Sequence, residues 1–312
     1  MAVVALAAGG CANVPDPDGI AATSAEAPQP ELSSIAIGAR PRLPRAVTGS
    51  GSADGLPEPP PVAIVISGRH PAYETVALEL GRRLDDAVIY DLTDDSLSPA
   101  AVFHRIGDSD TGAVVAIGLS AARAAVALAT VPVVFCQVFN YRDAGLVTET
   151  SRGVAALVPL DAQLDAWRDA NPALTRIGVI IGPGHEGLLE EAQVAAASRS
   201  LGLDVAVVAS DQEAQYHFRR MVHEIDGFWL FPDARVLSGR SLREMLAQAR
   251  RRQVDVAVSN DALLALGASI SIAPVPADIA ATVIDLVRRI EGGQLGELPA
   301  ITPLHAVQVA TR

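Results

Sequence analysis

The sequence predicts an α/β protein made of two Rossmann-like lobes with parallel sheets, and three observations predict it. From Pro61 onward, short continuous apolar runs alternate with segments of helical spacing, the pattern of strands buried on both faces with crossover helices between them. Half of the residues are hydrophobic but only 4% are aromatic, a composition suited to layers packed from small aliphatic side chains. The alternation runs through two successive series, and a chain of 312 residues fits two units of roughly 100–150 residues each.

The elements follow in order. Residues 2–10 (AVVALAAGG) are apolar or small and lead directly to Cys11. The stretch is too short to cross a bilayer, which takes ~20 residues, and reads as the end of a signal-peptide apolar region. Ala8, Gly9 and Gly10 before Cys11 resemble a bacterial lipobox, so residues 1–11 are expected to be a signal remnant with Cys11 lipidated. Ala8 stands where such a box usually has Leu, and the basic region that precedes one is missing; a start codon further upstream would supply it. From Ala12 the composition shifts to Pro, Gly, Ser, Ala and Asp and ends in PEPPP, so 12–60 is expected to be a disordered linker that holds a folded head clear of a membrane.

The first series then begins with the strand VAIVIS (62–67), bounded by Gly68, and the helix YETVALELGRRL (73–84). AVIYDL (87–92), a helix through Val102 to Ile106, GAVVAIG (112–118), the helix SAARAAVALA (120–129) and PVVFCQV (132–138) complete an open α/β sheet. A second series runs from GVAALV (153–158) through the helix DAQLDAWRDA to RIGVIIG (176–182) and the helix LLEEAQVAAASRSLG (188–202). LDVAVVA (203–209), the helix EAQYHFRRMVHEI, GFWLFP (227–232), the helix SLREMLAQARRR and VDVAVSN (254–260) follow. ADIAATVIDLVRRIEGG (277–293) is a last long helix that ends on a glycine cap signal.

Charge excludes one class of partner. The chain carries 36 acidic against 24 basic side chains, a net charge of −12, which repels a phosphate backbone, and no basic stripe with interleaved aromatics offsets it. Nucleic acid is therefore not expected. Arg250, Arg251 and Arg252 fall at the end of a helical pattern, where they complement the helix dipole. No metal is expected, because the six histidines lack ligand spacing; His217 and His223 fall on different sides of a helix. Cys136 lies in the apolar run PVVFCQV and reads as a buried, inert thiol rather than a disulfide partner of Cys11.

Two enzyme motifs compete for attention. Gly182-Pro-Gly184-His-Glu-Gly187 follows a strand and opens a helix, with Asp211 after the next strand, the layout of a dinucleotide fingerprint. Pro183 removes a backbone N–H from that loop, so a dinucleotide-binding enzyme using it stands as the lesser alternative, and on either reading the helix start can hold an anion. Gly118-Leu119-Ser120-Ala121-Ala122 has the position of a hydrolase nucleophile elbow, but Ala122 replaces the second glycine and Ser120 is better read as a helix cap. No cofactor and no catalysis are expected.

The run VVAIGLSAARAAVALATVPVVFCQVFNYRDAGLV, together with RIGVIIGPG, GFWLFPD and ALLALGA, resembles the ABC-transporter substrate-binding family that includes tryptophan and tyrosine importer components. The order of these motifs covers almost everything from Pro61; the Asp-Pro usual in that family is replaced around Asn140 and Tyr141. The resemblance implies a type 1 periplasmic-binding architecture, two lobes joined by crossover segments, and closure around a small solute. On that reading residues 61–140 with about 264–290 form the first lobe and 141–263 with about 295–312 the second. Hinges are expected near Tyr141–Leu146 and Leu263–Ile270.

Ligands of open parallel sheets bind beyond the carboxyl ends of the strands. Ser67, Gly68 and Arg69, then Gln137, Phe139 and Asn140, then His185, Asp233, Asn260 and Asp261 occupy such loops. Ser120 with the N–H groups of Ala121 and Ala122 is expected to hold a carboxylate, and Asp233 an ammonium, the two needs of an amino-acid-like zwitterion. Phe139 and Tyr141 are candidates to stack on a ring. The expected protein is a monomeric, lipid-anchored solute-binding protein of the periplasm or cell envelope that delivers to an ABC permease. The alternative of another class is an envelope sensor or regulatory lipoprotein with the same fold.

Overall fold

The computed structural model describes residues 61–84, 87–93 and 98–312. The signal, Cys11 and linker expectations lie outside them. The first sheet takes β1 (Val62–Ile66), β2 (Val88–Asp91), β3 (Ala113–Ile117), β4 (Val133–Cys136) and β5 (Ser151–Val154), with α1 (Pro71–Gly81), α2 (Pro99–Gly107) and α3 (Leu119–Leu128) between them. The second half runs α4 (Leu160–Ala170), β6 (Arg176–Ile181), α5 (Glu186–Ala197), β7 (Gly202–Val207), α6 (Asp211–Met221), β8 (Gly227–Trp229), α7 (Gly239–Arg252), β9 (Asp255–Val258) and β10 (Ile270–Pro274). The chain ends with α8 (Pro276–Glu291), β11 (Ile301–Thr302) and β12 (Val307–Thr311).

Two six-stranded sheets result, ordered β11-β5-β4-β3-β1-β2 and β12-β10-β9-β8-β6-β7. Each is doubly wound, and every pairing is parallel except that of β12 with β10. The all-apolar runs become central strands because helices cover both faces: all five residues of β1 and of β3 are buried. In the first lobe α1 and α8 cover one face, with Val76, Ala77 and Leu80 packed among Val283, Ile284 and Val287, while α2 and α3 cover the other. In the second lobe α4 and α5 pack around Trp167 and Trp229, and α6 and α7 around Phe218 and Phe228.

Local signals fix the helix ends. Pro71 and Pro99 occupy first-turn positions, and the Ser98 side chain accepts from Ala101 N at 3.2 Å. Ser210 and Ser238 cap α6 and α7 in the same way. Arg250, Arg251 and Arg252 close the last turn of α7, as their dipole reading requires, and Gln253 ends it in the left-handed region at φ 58°.

The sheet pairings correct three expectations about which lobe holds which segment. GVAALV does not open the second lobe: Ser151–Val154 pairs with β4 and β11 in the first sheet. The stretch about 264–290 is divided, since β10 lies in the second sheet and α8 packs on the first. The tail 295–312 is divided as well, β11 joining the first sheet and β12 the second. An apolar run records that a strand is buried, and says nothing of which open edge its backbone donors and acceptors will satisfy. The chain therefore passes between lobes between Val154 and Leu160, at Val275, and between Thr302 and Val307. Tyr141–Leu146 and Leu263–Ile270 each connect strands of one sheet and are not crossovers. Among the described residues no helix is long and apolar enough to cross a membrane.

Candidate functional site

The carboxyl ends of the first sheet carry Ser67, Gly68, Ser120 and Ala121. Gly118 is the residue that lets β3 turn into α3: at φ 86° it adopts a left-handed backbone, and a Cβ there would lie 2.7 Å from Ser67 Oγ and 2.8 Å from the Tyr73 ring. Ser67 Oγ accepts the Ala121 N–H at 2.9 Å, and Ala122 N–H bonds Gly118 O at 3.0 Å. The two amides expected to hold a carboxylate are thus already occupied. Ser120 is exposed and lies within the first turn, while Gly118 takes the cap position. The cap reading of Ser120 is corrected: the serine that serves this helix is Ser67, 54 positions before the Ala121 whose N–H it accepts. Gly68 O accepts from His70 N at 2.9 Å.

A second group gathers where β4, β6 and β8 end. Gln137 ends β4 in the left-handed region at φ 59°, a conformation that costs a residue with a side chain about 1–2 kcal/mol. The loop beyond it reaches the other lobe. Asn140 Nδ2 donates to Asp233 Oδ1 at 3.1 Å, and Asn140 Oδ1 lies 2.9 Å from His185 Nε2. Because the amide nitrogen is directed to the carboxylate, the amide oxygen is the acceptor and His185 Nε2 carries the hydrogen.

Asp233 is the hub. Its side chain is fully buried, and it accepts from Gly182 N at 2.9 Å, from Arg235 N at 3.2 Å, and from Arg235 Nε and Nη2 at 2.9 Å each. Burial pushes its carboxyl up, but the bonds from Arg235, Gly182 and Asn140 outweigh that and hold it down at about 2. Arg235 also ion-pairs with Asp143 of the first lobe. His185 Nε2 sits 3.6 Å from Asp233 Oδ2. Burial lowers its pKa, with Asp233 opposing and Arg235 reinforcing, so at neutral pH the ring is uncharged. The ammonium acceptor expected at Asp233 already has a cation, the guanidinium two residues further on.

Beside this cluster lies a cavity of about 410 Å³, within the range typical of small-molecule sites. Its wall combines the β4 loop (Val138, Phe139, Tyr141, Arg142), the first crossover (Ala155 to Leu160), the start of α5 (His185, Gly187, Leu188, Glu191), and Ile301 and Pro303 at the third crossover. Phe139 packs on His185 with ring centroids 4.7 Å apart and stacks on Phe231 at 6.1 Å.

The structure therefore brings Asn140, His185 and Asp233 together, and of the expected site residues it puts Phe139, Tyr141 and His185 in the cavity wall. Ser67, Gly68, Ser120 and Ala121 stand apart from that wall, as does Gln137. Asn260 and Asp261 serve a short turn after β9, Asn260 Oδ1 accepting from Ala262 N at 3.0 Å and Asp261 Oδ2 from Gln308 Nε2 at 2.7 Å. Sequence reasoning missed Arg142, Asp143, Arg235 and Glu191. The charged pair directly after Asn140-Tyr141 was the available signal for the first two. Among the described residues no group of three His, Cys, Asp or Glu side chains could hold a metal ion.

Residues 85–303 match the model of the family described as ABC transporter substrate binding protein. Among curated protein sequences none matches the chain. Solved structures resemble it over about four-fifths of its length. The ligand-free, open structure of CD0873, a substrate-binding protein with adhesive properties from Clostridium difficile, is 15% identical with a TM-score of 0.63, covering 81% of this chain and 92% of that one. A conserved domain protein from Vibrio cholerae is 19% identical at 0.59, again covering 81% and 92%. The ABC domain in complex with L-Trp from Streptococcus pneumonia is 16% identical at 0.58, covering 80% and 91%. At such identities the likeness establishes the fold, two lobes of the type 1 periplasmic-binding kind.

Proposed function

This chain belongs to the ABC transporter substrate-binding protein family, and we propose that it captures a small amino-acid-like solute in the cavity between its lobes and performs no chemistry on it. The observation that carries the reading is the composition of the cavity wall. Phe139, Tyr141, Leu157, Leu188 and Ile301 offer an apolar surface, with Arg142 from the first lobe and Glu191 from the second. A zwitterion needs one fixed cation for its carboxylate and one acceptor for its ammonium, and these two side chains supply both without disturbing the satisfied Asp233. On this reading the site lies not at the expected Ser120 and Asp233 but in a cavity that shares Phe139, Tyr141 and His185 with the expected residues. The L-Trp bound by the Streptococcus protein supports an amino-acid class of solute.

Capture by closure divides the cavity wall between the lobes, so a guest touching both favours the closed form by its extra contacts there. The three crossovers are the segments that can absorb the motion. Delivery to an ABC permease, anchoring through a lipid on Cys11 and a place in the periplasm or cell envelope complete the proposed role. Titration calorimetry with the amino acids, nucleosides and simple sugars tests the solute class. An amino acid should bind, and Arg142→Ala or Glu191→Gln should each weaken it about tenfold or more, the loss of one charge-assisted hydrogen bond. Binding of a nucleoside or sugar with no response to any amino acid refutes the reading.

A further inference from the structure

Five side chains close a bridge from one lobe to the other. Asn140 and Asp143 stand on the loop after β4, in the first lobe; His185, Asp233 and Arg235 stand on the loops after β6 and β8, in the second. Across the gap run the bonds Asn140 Nδ2 to Asp233 Oδ1 at 3.1 Å and His185 Nε2 to Asn140 Oδ1 at 2.9 Å, and the ion pair of Arg235 with Asp143. Gly184, at φ 87°, lets the second lobe approach closely, since a Cβ there would lie 2.9 Å from Asp143 Oδ1.

Two features separate this bridge from incidental contact. Each of its five side chains finds at least one partner within the bridge itself. And the charge alternates through the bridge, Asp143 to Arg235 to Asp233, so that Arg235 joins an acid of each lobe. His185 belongs to both structures, bonded to Asn140 on one side and exposed to the cavity on the other. We propose that Asn140, Asp143, Asp233 and Arg235 form an interlobe clasp that draws the lobes together before a solute enters and positions His185 as part of the cavity wall. A closed form already populated in the free protein raises apparent affinity, because the observed Kd is the intrinsic one divided by the competent fraction. The clasp is therefore a setting of affinity that lies outside the ligand's reach.

The Asp143–Arg235 pair is about one-third exposed on each side, so its loss shifts the open–closed balance by about fivefold. Asn140 bonds a buried charge, and its loss shifts the balance by ~10-fold or more. The test is hydrogen exchange followed by mass spectrometry on the full-length protein without solute. Asp143→Arg and Asn140→Ala should each speed exchange by these factors in 138–146 of the first lobe and in both 182–187 and 230–235 of the second, with β3 and β6 remaining protected. Asp143→Glu, which keeps the charge, should leave all three segments as in the wild type. Faster exchange confined to 138–146, the loop that carries the substitution, overturns the clasp, and so does no change. Since no solute enters the measurement, a failed ligand screen does not bear on it.

Discussion

Asp233→Asn should be among the more damaging single-atom changes in this chain. The carboxylate is fully buried and accepts hydrogen bonds from Gly182 N, Arg235 N, Arg235 Nε, Arg235 Nη2 and Asn140 Nδ2. Asn removes the charge and turns one acceptor into a donor, which then faces other donors. Holding the carboxyl at about 2 against an ordinary 3.8 corresponds to about 2 kcal/mol of stability at neutral pH, at ~1.4 kcal/mol per unit. Leaving a buried amide such as Gly182 N–H without an acceptor adds ~1 kcal/mol or more. A total of about 3 kcal/mol lowers the melting temperature of a unit this size by ~6–12 °C. The sign with pH follows from the folded value lying below the unfolded one. The carboxylate's contribution is complete above about pH 4, falls to about half near pH 3, and is lost as pH passes through 2. Calorimetric melting of wild type and variant from pH 7 to pH 3 measures both effects. Equal melting temperatures at pH 7, or a difference that does not narrow toward pH 3, refutes the assignment of Asp233 as an ionised hub.

Four further outcomes follow from particular contacts. Gly118→Ala should lower stability by ~2 kcal/mol, because the methyl meets Ser67 Oγ and the Tyr73 ring at under 3 Å on a left-handed backbone; urea titration measures it, and a neutral result removes the steric argument. Ser67→Ala should cost about 1 kcal/mol as a lost helix cap, and a loss near zero would show that the 2.9 Å bond to Ala121 N carries no weight. His185 should titrate below the ordinary histidine value in NMR, and the stability it lends is complete above about pH 6.5 and is lost as pH falls through the lowered folded value; a midpoint above 6.5 contradicts it. Burial pushes the Cys136 thiol up to about 12, so peptide mapping after thiol labelling should find Cys136 unmodified in native protein and modified in urea.

Most of the architecture was legible because it is written in local periodicity. A run such as VAIVI has one stable environment, between two covering layers, and a capped amphipathic stretch such as GRSLREMLAQARRR has another. The chain order of those elements then fixes two doubly wound sheets. GVAALV escaped this logic, because its residues match either sheet equally well and only the open edge of β4 decides between them. The site was half legible for a related reason. Loops at strand ends can be named from sequence, and Asn140, His185 and Asp233 were named so; whether each is free to meet a solute depends on what stands opposite. Asp233 looked like an open acceptor until Arg235 turned back on it, and Ala121 N–H looked free until Ser67 arrived from a loop far away in sequence.

The sequence by itself determined the strand–helix order and the set of loops from which a site could be made. Tertiary structure alone decided which residues of those loops remain available. Hydrogen-bond capacity is consumed pairwise by neighbours that the fold brings together from distant positions, and local periodicity carries no record of those meetings. Two of the three passages of the chain between the sheets, rather than any one motif, line the cavity where the two lobes share a wall.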